Sequence, residues 1–112
     1  MSFVAITATI NSLKFGAVEK RLQSMGVPGL SVSETKGYGD YKNFFQQDWM
    51  GPYARIQLYV PETDSEDIAE AIMDAAHAGL DNDGVIAISP VNRLFRISDK
   101  TEIQTNTIQP AG

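Results

Sequence analysis

The sequence predicts an α+β fold, a ferredoxin-like βαββαβ sandwich with a four-stranded antiparallel sheet and both helices on one face. Two observations lead there. The hydrophobic period switches between two and about 3.6 residues twice along the chain, in the order strand–helix–strand, long loop, strand–helix–strand. A chain of 112 residues suits one domain with a modest core, and two such halves close as a sheet covered by helices.

The first strand is "FVAITATI", where Val4, Ile6, Ala8 and Ile10 alternate with Phe3, Ala5, Thr7 and Thr9. In "NSLKFGAVEKRLQSMG" the apolar residues Phe15, Val18, Leu22 and Met25 fall on one helical stripe. Ser12 is placed to cap this helix, and Gly26 to take a left-handed turn at its end. Gly16 weakens it by roughly 1 kcal/mol relative to Ala. "GLSVSETKGYG" is strand-like again, with Leu30 and Val32 on one face. "YARIQLYV" turns Ala54, Ile56, Leu58 and Val60 inward, and Arg55, Gln57 and Tyr59 outward, before Pro61 ends it. The second helix lies in "TDSEDIAEAIMDAAHAG", with capping-box spacing at Thr63 and Glu66 and a stripe of Ile68, Ile72, Ala75 and Ala76. "GVIAIS" and "RLFRIS" read as two short strands, and residues 99–112 as a polar tail, mostly loose. The second face of the sheet, with Ala5, Thr7, Ser31, Ser33, Gln57 and Tyr59, is semi-polar and suited to cover by neighbouring subunits. Both helical stripes are narrow, so oligomerisation would add to a small core.

Composition excludes several classes. Nine basic against fourteen acidic residues give a net charge of −5, with no Lys/Arg run, so nucleic acid is not expected as a partner. No cysteine is present, which removes disulfides, thiolate nucleophiles and zinc fingers. No apolar run approaches the ~20 residues of a membrane span. The N-terminal stretch reads as a strand, not a signal peptide, and a cytoplasmic protein is expected.

The segment "KGYGDYKNFFQQDWMGPY" gathers Tyr38, Tyr41, Phe44, Phe45, Trp49 and Tyr53 between a Gly-x-Gly and a Gly-Pro. These aromatics either fold back as core or subunit contact, or anchor a partner, with Lys42, Asp48 and Arg55 as orienting charges. "GYG" is no dinucleotide fingerprint, because position 42 is lysine and no helix pattern follows. His77, the only histidine, reads as a helix C-terminal residue favoured by the dipole. "LDNDGV" lacks EF-hand spacing and reads as a turn, with Asp83-Gly84 supplying a positive φ.

Together, "GVPGLSVSETKGYG" (26–39), "ARIQLYVPE" (54–62) and "IMDAAHAGLDNDGVIAISPVNRLFRI" (72–97) resemble the PII signal-transduction family, also called nitrogen regulatory protein P-II. The resemblance runs from about Phe3 to Ser98 and marks a divergent, PII-like member. It implies a non-enzymatic, ferredoxin-like trimer that binds adenine nucleotides between subunits and controls a partner through a projecting T-loop. By position, the domain is 1–98 and the T-loop about 39–54. The implied ligand residues are Gly29, Leu30 and Ser31 near the adenine, Gly37, Tyr38 and Gly39 at the loop base, Asn82, Asp83 and Gly84 in the phosphate-facing B-loop, and Arg96 from the last strand. The implied partner surface is Tyr41, Lys42, Phe44, Phe45, Trp49 and Met50, and the implied partner a membrane transporter or efflux component. The chain departs from the family pattern at several positions. Asn82 and Val85 replace a glycine and a lysine of the B-loop, Ser98 and Asp40 replace arginines, and Gln57 replaces an acid. The T-loop is shorter than usual, and neither Tyr41 nor Tyr53 matches its modification site. Loss of three cations predicts weak binding of ATP, ADP or AMP, because charge-assisted bonds contribute roughly 1.5–3 kcal/mol each. No metal site is expected. Two alternatives stay open: a CutA-like metal-handling module using His77, the methionines, Asp81 and Asp83, and a small enzyme such as an acylphosphatase, for which "NSLKFG" offers only Lys14.

Overall fold

The protein is described here by a computed structural model, which covers residues 2–27, 29–36, 52–79 and 83–104. Four strands, β1 (Phe3–Asn11), β2 (Ser31–Lys36), β3 (Pro52–Pro61) and β4 (Gly84–Val91), form one antiparallel sheet in the order β2-β3-β1-β4. Helices α1 (Phe15–Ser24) and α2 (Ser65–Ala76) pack against each other and cover one face. Each half is a split βαβ unit, with β3 lying between β1 and β2, and β1 between β3 and β4. This is the ferredoxin-like arrangement that the alternating periods predict.

The core sits between sheet and helices. Ile6, Ala8, Val18, Ile56 and Ile72 are fully buried, with Leu22, Leu58 and Ile10 nearly so. Burial of each large aliphatic side chain contributes roughly 1.5–3 kcal/mol. Phe15, Met25 and Ala75, the ends of the two helical stripes, pack against this cluster from its margin.

Several details differ from the sequence reading. Asn11, not Ser12, caps the first turn: its side chain accepts from the Leu13 N–H at 2.9 Å, and a 3-10 turn (Ser12–Lys14) precedes α1. A second 3-10 turn (Glu62–Asp64) displaces the Thr63/Glu66 capping box, and the Ser65 hydroxyl donates back to the Glu62 carbonyl at 2.8 Å. The strand expected over "RLFRIS" shrinks to β5 (Phe95–Arg96), which stands outside the main sheet. It pairs with β6 (Thr101–Glu102), in the stretch read as tail. Side chains hold this hairpin. Arg93 donates through Nε and a terminal nitrogen to the two Glu102 oxygens, both at 3.0 Å, and its guanidinium lies 4.9 Å from the Phe95 ring centre.

Candidate functional site

β-sheet register decides which candidate residues can meet. Ser31 pairs with Gln57, and Gln57 with Thr7, whose other neighbour is Ala87 on β4. Gly29, Leu30 and Ser31 therefore lie at one edge of the sheet, and Asp83 and Gly84 open the strand at the other edge. Two strands separate them, about 14 Å across at ordinary strand spacing. Gly29 and Leu30 line one cleft and Asp83 and Gly84 another, while Ser31 is in neither lining. One, of about 340 Å³, includes Phe15, Leu22, Val27, Gly29, Leu30 and Val32. The other, of about 250 Å³, includes Ile10, Ile72, Ala76, His77, Asp83 and Gly84. Arg96 joins neither lining. It sits on the hairpin that follows the far end of β4, with Nε 3.4 Å from Asp99. Of the other candidates, Gly37, Tyr38, Gly39, Tyr41, Lys42, Phe44, Phe45, Trp49, Met50 and Asn82 lie outside the described residues.

Asp83 is the hub of the β4 edge. Chain reversal after α2 brings the Ala78 and Gly79 N–H groups onto its Oδ2, both at 2.9 Å, and His77 Nδ1 stands 3.6 Å away. Those two amides follow a helix C-terminus, and a carboxylate already satisfies them. Gly84 has φ +123, and a Cβ there would overlap the Thr9 carbonyl oxygen. Its bare Cα therefore faces β1. Gly29 meets no atom within 4 Å of where a Cβ would stand.

The loop base shares this end of the sheet. β2 ends at Lys36 opposite Pro52, and Gly84 pairs with Ile10, which pairs with Ala54. Tyr53, read from the sequence both as the last aromatic of the loop segment and as the first residue of the strand "YARIQLYV", lies in β3 and is fully buried. Burial first, and the charge of Asp83 second, push its phenol from 10.0 up to about 12. The alternation of Ala54, Ile56, Leu58 and Val60, carried one residue back, was the signal for its strand position. Thr9, on the same face and in register with Arg55 and Val85, is 1% exposed, and its hydroxyl lacks a hydrogen-bond partner. Nothing in the spacing of the sequence marks Thr9. On the hairpin, the Thr101 hydroxyl, and to a smaller degree Arg96, hold the Asp99 carboxyl below the usual range. Arg93 does the same for Glu102.

A sequence model of the nitrogen regulatory protein P-II family matches residues 3–101. The chain belongs to the PII family. Similar relatives are the nitrogen regulatory protein P-II of Cereibacter sphaeroides and that of Azospirillum brasilense, 35% and 32% identical over 82% of this chain and 88% of each relative. Nitrogen regulatory protein GlnK2 of Haloferax mediterranei is 33% identical over 82% of this chain and 80% of its own length. Among solved structures, Arabidopsis thaliana PII bound to citrate superposes with a TM-score of 0.78 at 21% identity. That alignment covers 92% of this chain and 90% of the plant protein, and supports the PII fold. This PII protein is thus a member of a regulatory, signal-transducing family. Among its described residues no helix is long and apolar enough to cross a membrane, and no group of three or more His, Cys, Asp or Glu could hold a metal ion.

Proposed function

We propose that this PII protein is a trimeric, non-enzymatic regulator that senses a small ligand in clefts between its protomers. The ligand is an adenine nucleotide or a small anion. Its binding changes the segment 37–51, which binds or releases a partner, a membrane transporter. The observation that carries this reading is the placement of the ligand candidates on opposite sheet edges. Gly29–Ser31 and Asp83–Gly84 face one ligand only when the β2 edge of one copy stands against the β4 edge of the next. The backbone ends that hold the 37–51 segment lie at the same end of the sheet as Asp83, so a ligand there is close to the loop base. The plant structural neighbour was solved bound to citrate, which adds support for a small anion.

Such a switch requires the ligand to bind two loop states with different affinity; a full reversal of populations from 1:99 needs about a 10⁴-fold preference. The test combines size-exclusion chromatography with light scattering, and calorimetry with ATP, ADP, AMP, a cyclic nucleotide, bicarbonate and citrate. A trimer that binds at least one of these, and whose affinity for a transporter encoded beside it changes with that ligand, is expected. Trp49→Ala and Phe45→Ala should keep the trimer and lose the transporter. A monomer, or a trimer indifferent to every compound, would overturn the proposal, and loss of folding in the two variants would overturn the role of the loop.

A further inference from the structure

We infer that Thr9 reads the ligand: its hydroxyl donates to an oxygen of the bound molecule, and this bond ties ligand binding to the loop base. The inference rests on the proposed interprotomer site and names one residue and one atom type for it.

Its ground is a buried donor without an acceptor. Thr9 is 1% exposed in the central strand β1, and among the described residues its hydroxyl has no hydrogen-bond partner. An unpaired buried hydroxyl opposes folding, so native structures seldom keep one without a use. Register explains the orphan. One row crosses the sheet as Ser33, Arg55, Thr9 and Val85. It lies on the face turned away from the helices, since Ala8 and Ile10 point into the helix-covered core. Val85 offers no polar side-chain atom, and the guanidinium of Arg55 donates but never accepts. The Thr9 proton therefore meets no side-chain acceptor directly opposite on either neighbouring strand. What is missing is an acceptor. Arg55, the one charged residue of the row, favours an oxygen that carries negative charge there.

The position suits a coupling residue. The Thr9 carbonyl lies against Gly84, on the β4 wall of the proposed cleft. Its partner strand β3 begins at Pro52, directly after the 37–51 segment, and reaches Arg55 within one turn of the pleat. The hydroxyl is shut off from solvent in this structure. A ligand reaches it only by displacing what covers the row, so recognition and rearrangement of the loop base are one event. The closed state leaves the donor unpaired and the bound state pairs it. That is the difference in ligand affinity between two states on which a switch depends.

Thr9→Val and Thr9→Ser in the full chain test this, with AMP, ATP, bicarbonate and citrate as probes. Thr9→Val keeps the shape of the side chain and removes the hydroxyl. Its urea midpoint should equal or exceed that of the wild type, because no bond is lost in the free protein. Its affinity for a probe that the wild type binds, read by calorimetry, should fall about tenfold. Thr9→Ser keeps the hydroxyl and loses a methyl, so it should be less stable yet bind close to wild type. Fluorescence of Trp49, the single tryptophan and a member of the 37–51 segment, should shift on saturation in the wild type and in Thr9→Ser, and less in Thr9→Val. A loss confined to AMP and ATP assigns the oxygen to a nucleotide, and a loss for bicarbonate or citrate assigns it to a carboxylate. A clear fall in the urea midpoint of Thr9→Val would show that the hydroxyl is paired in the free protein and would overturn the inference. Unchanged affinity of Thr9→Val for a probe that the wild type binds would also overturn it, while leaving ligand sensing intact. Failure of every probe to bind the wild type would overturn the inference together with that sensing.

Discussion

Gly84→Ala should destabilise the protein by several kcal/mol, while the same change at Gly29 should be nearly silent. Both glycines are ligand candidates by sequence, and the fold separates them. At Gly84 the backbone has φ +123, where an L side chain is strained by roughly 1–3 kcal/mol. The added methyl would also overlap the Thr9 carbonyl oxygen, which belongs to the central strand and has no rotamer to escape into. Forcing apart a packed contact costs typically 1–3 kcal/mol more. The sum, about 2–6 kcal/mol, is a large share of the 5–15 kcal/mol that holds an ordinary domain folded. At Gly29 nothing lies within 4 Å and the residue lies outside the positive-φ set, so a change within about 0.5 kcal/mol is expected. Urea unfolding followed by circular dichroism, at one fixed protomer concentration, measures both variants against the parent. A midpoint for Gly84→Ala that matches wild type would refute the contact and the strain together. Gly84 would then have to be explained by what approaches it from outside.

Two further outcomes follow from buried groups. Tyr53 has a folded-state pKa raised to about 12 from 10.0, so the neutral phenol is the favoured form. Its contribution to stability is complete below pH 10 and is lost as pH rises through 12. An ultraviolet pH titration should show a phenol ionising near 12, and Tyr53→Phe should remove both that step and its share of the alkaline loss of stability; ionisation near 10 would contradict the buried placement. Ile72, fully buried on α2, should cost about 2–5 kcal/mol as Ile72→Ala, whereas Met73→Ala one residue along, at 51% exposure, should change stability far less, both read by thermal unfolding.

The four strands and two helices were legible because each follows one period over eight or more residues, or is bounded by glycine and proline. Where two signals competed, local chemistry decided. Asn11 and Ser12 are both good caps, and only the 3-10 turn shows which side chain reaches a free N–H. The terminal hairpin was hidden because its pairing rests on two-residue arms and on Arg93–Glu102, a contact between residues nine apart with no hydrophobic alternation. Tyr53 was legible both as the last aromatic of the loop segment and as the first residue of its strand, and burial decides for the strand. The ligand candidates came from resemblance, not from spacing. No local pattern could say that Gly29 and Gly84 lie on opposite edges, since that depends on β3 and β1 inserting between them. The same holds for Asp83, whose two amide partners are reached only after the chain reverses.

The split of the ligand candidates over two edges also has a genetic meaning. In the proposed ring every cleft borrows one wall from each of two copies. A variant damaged only along β2 and another damaged only along β4 are each defective alone. Mixed in one ring, they always include a junction where an intact β2 edge faces an intact β4 edge. Two recessive lesions on opposite sides of the sheet should therefore complement within a single gene, and two on the same side should not.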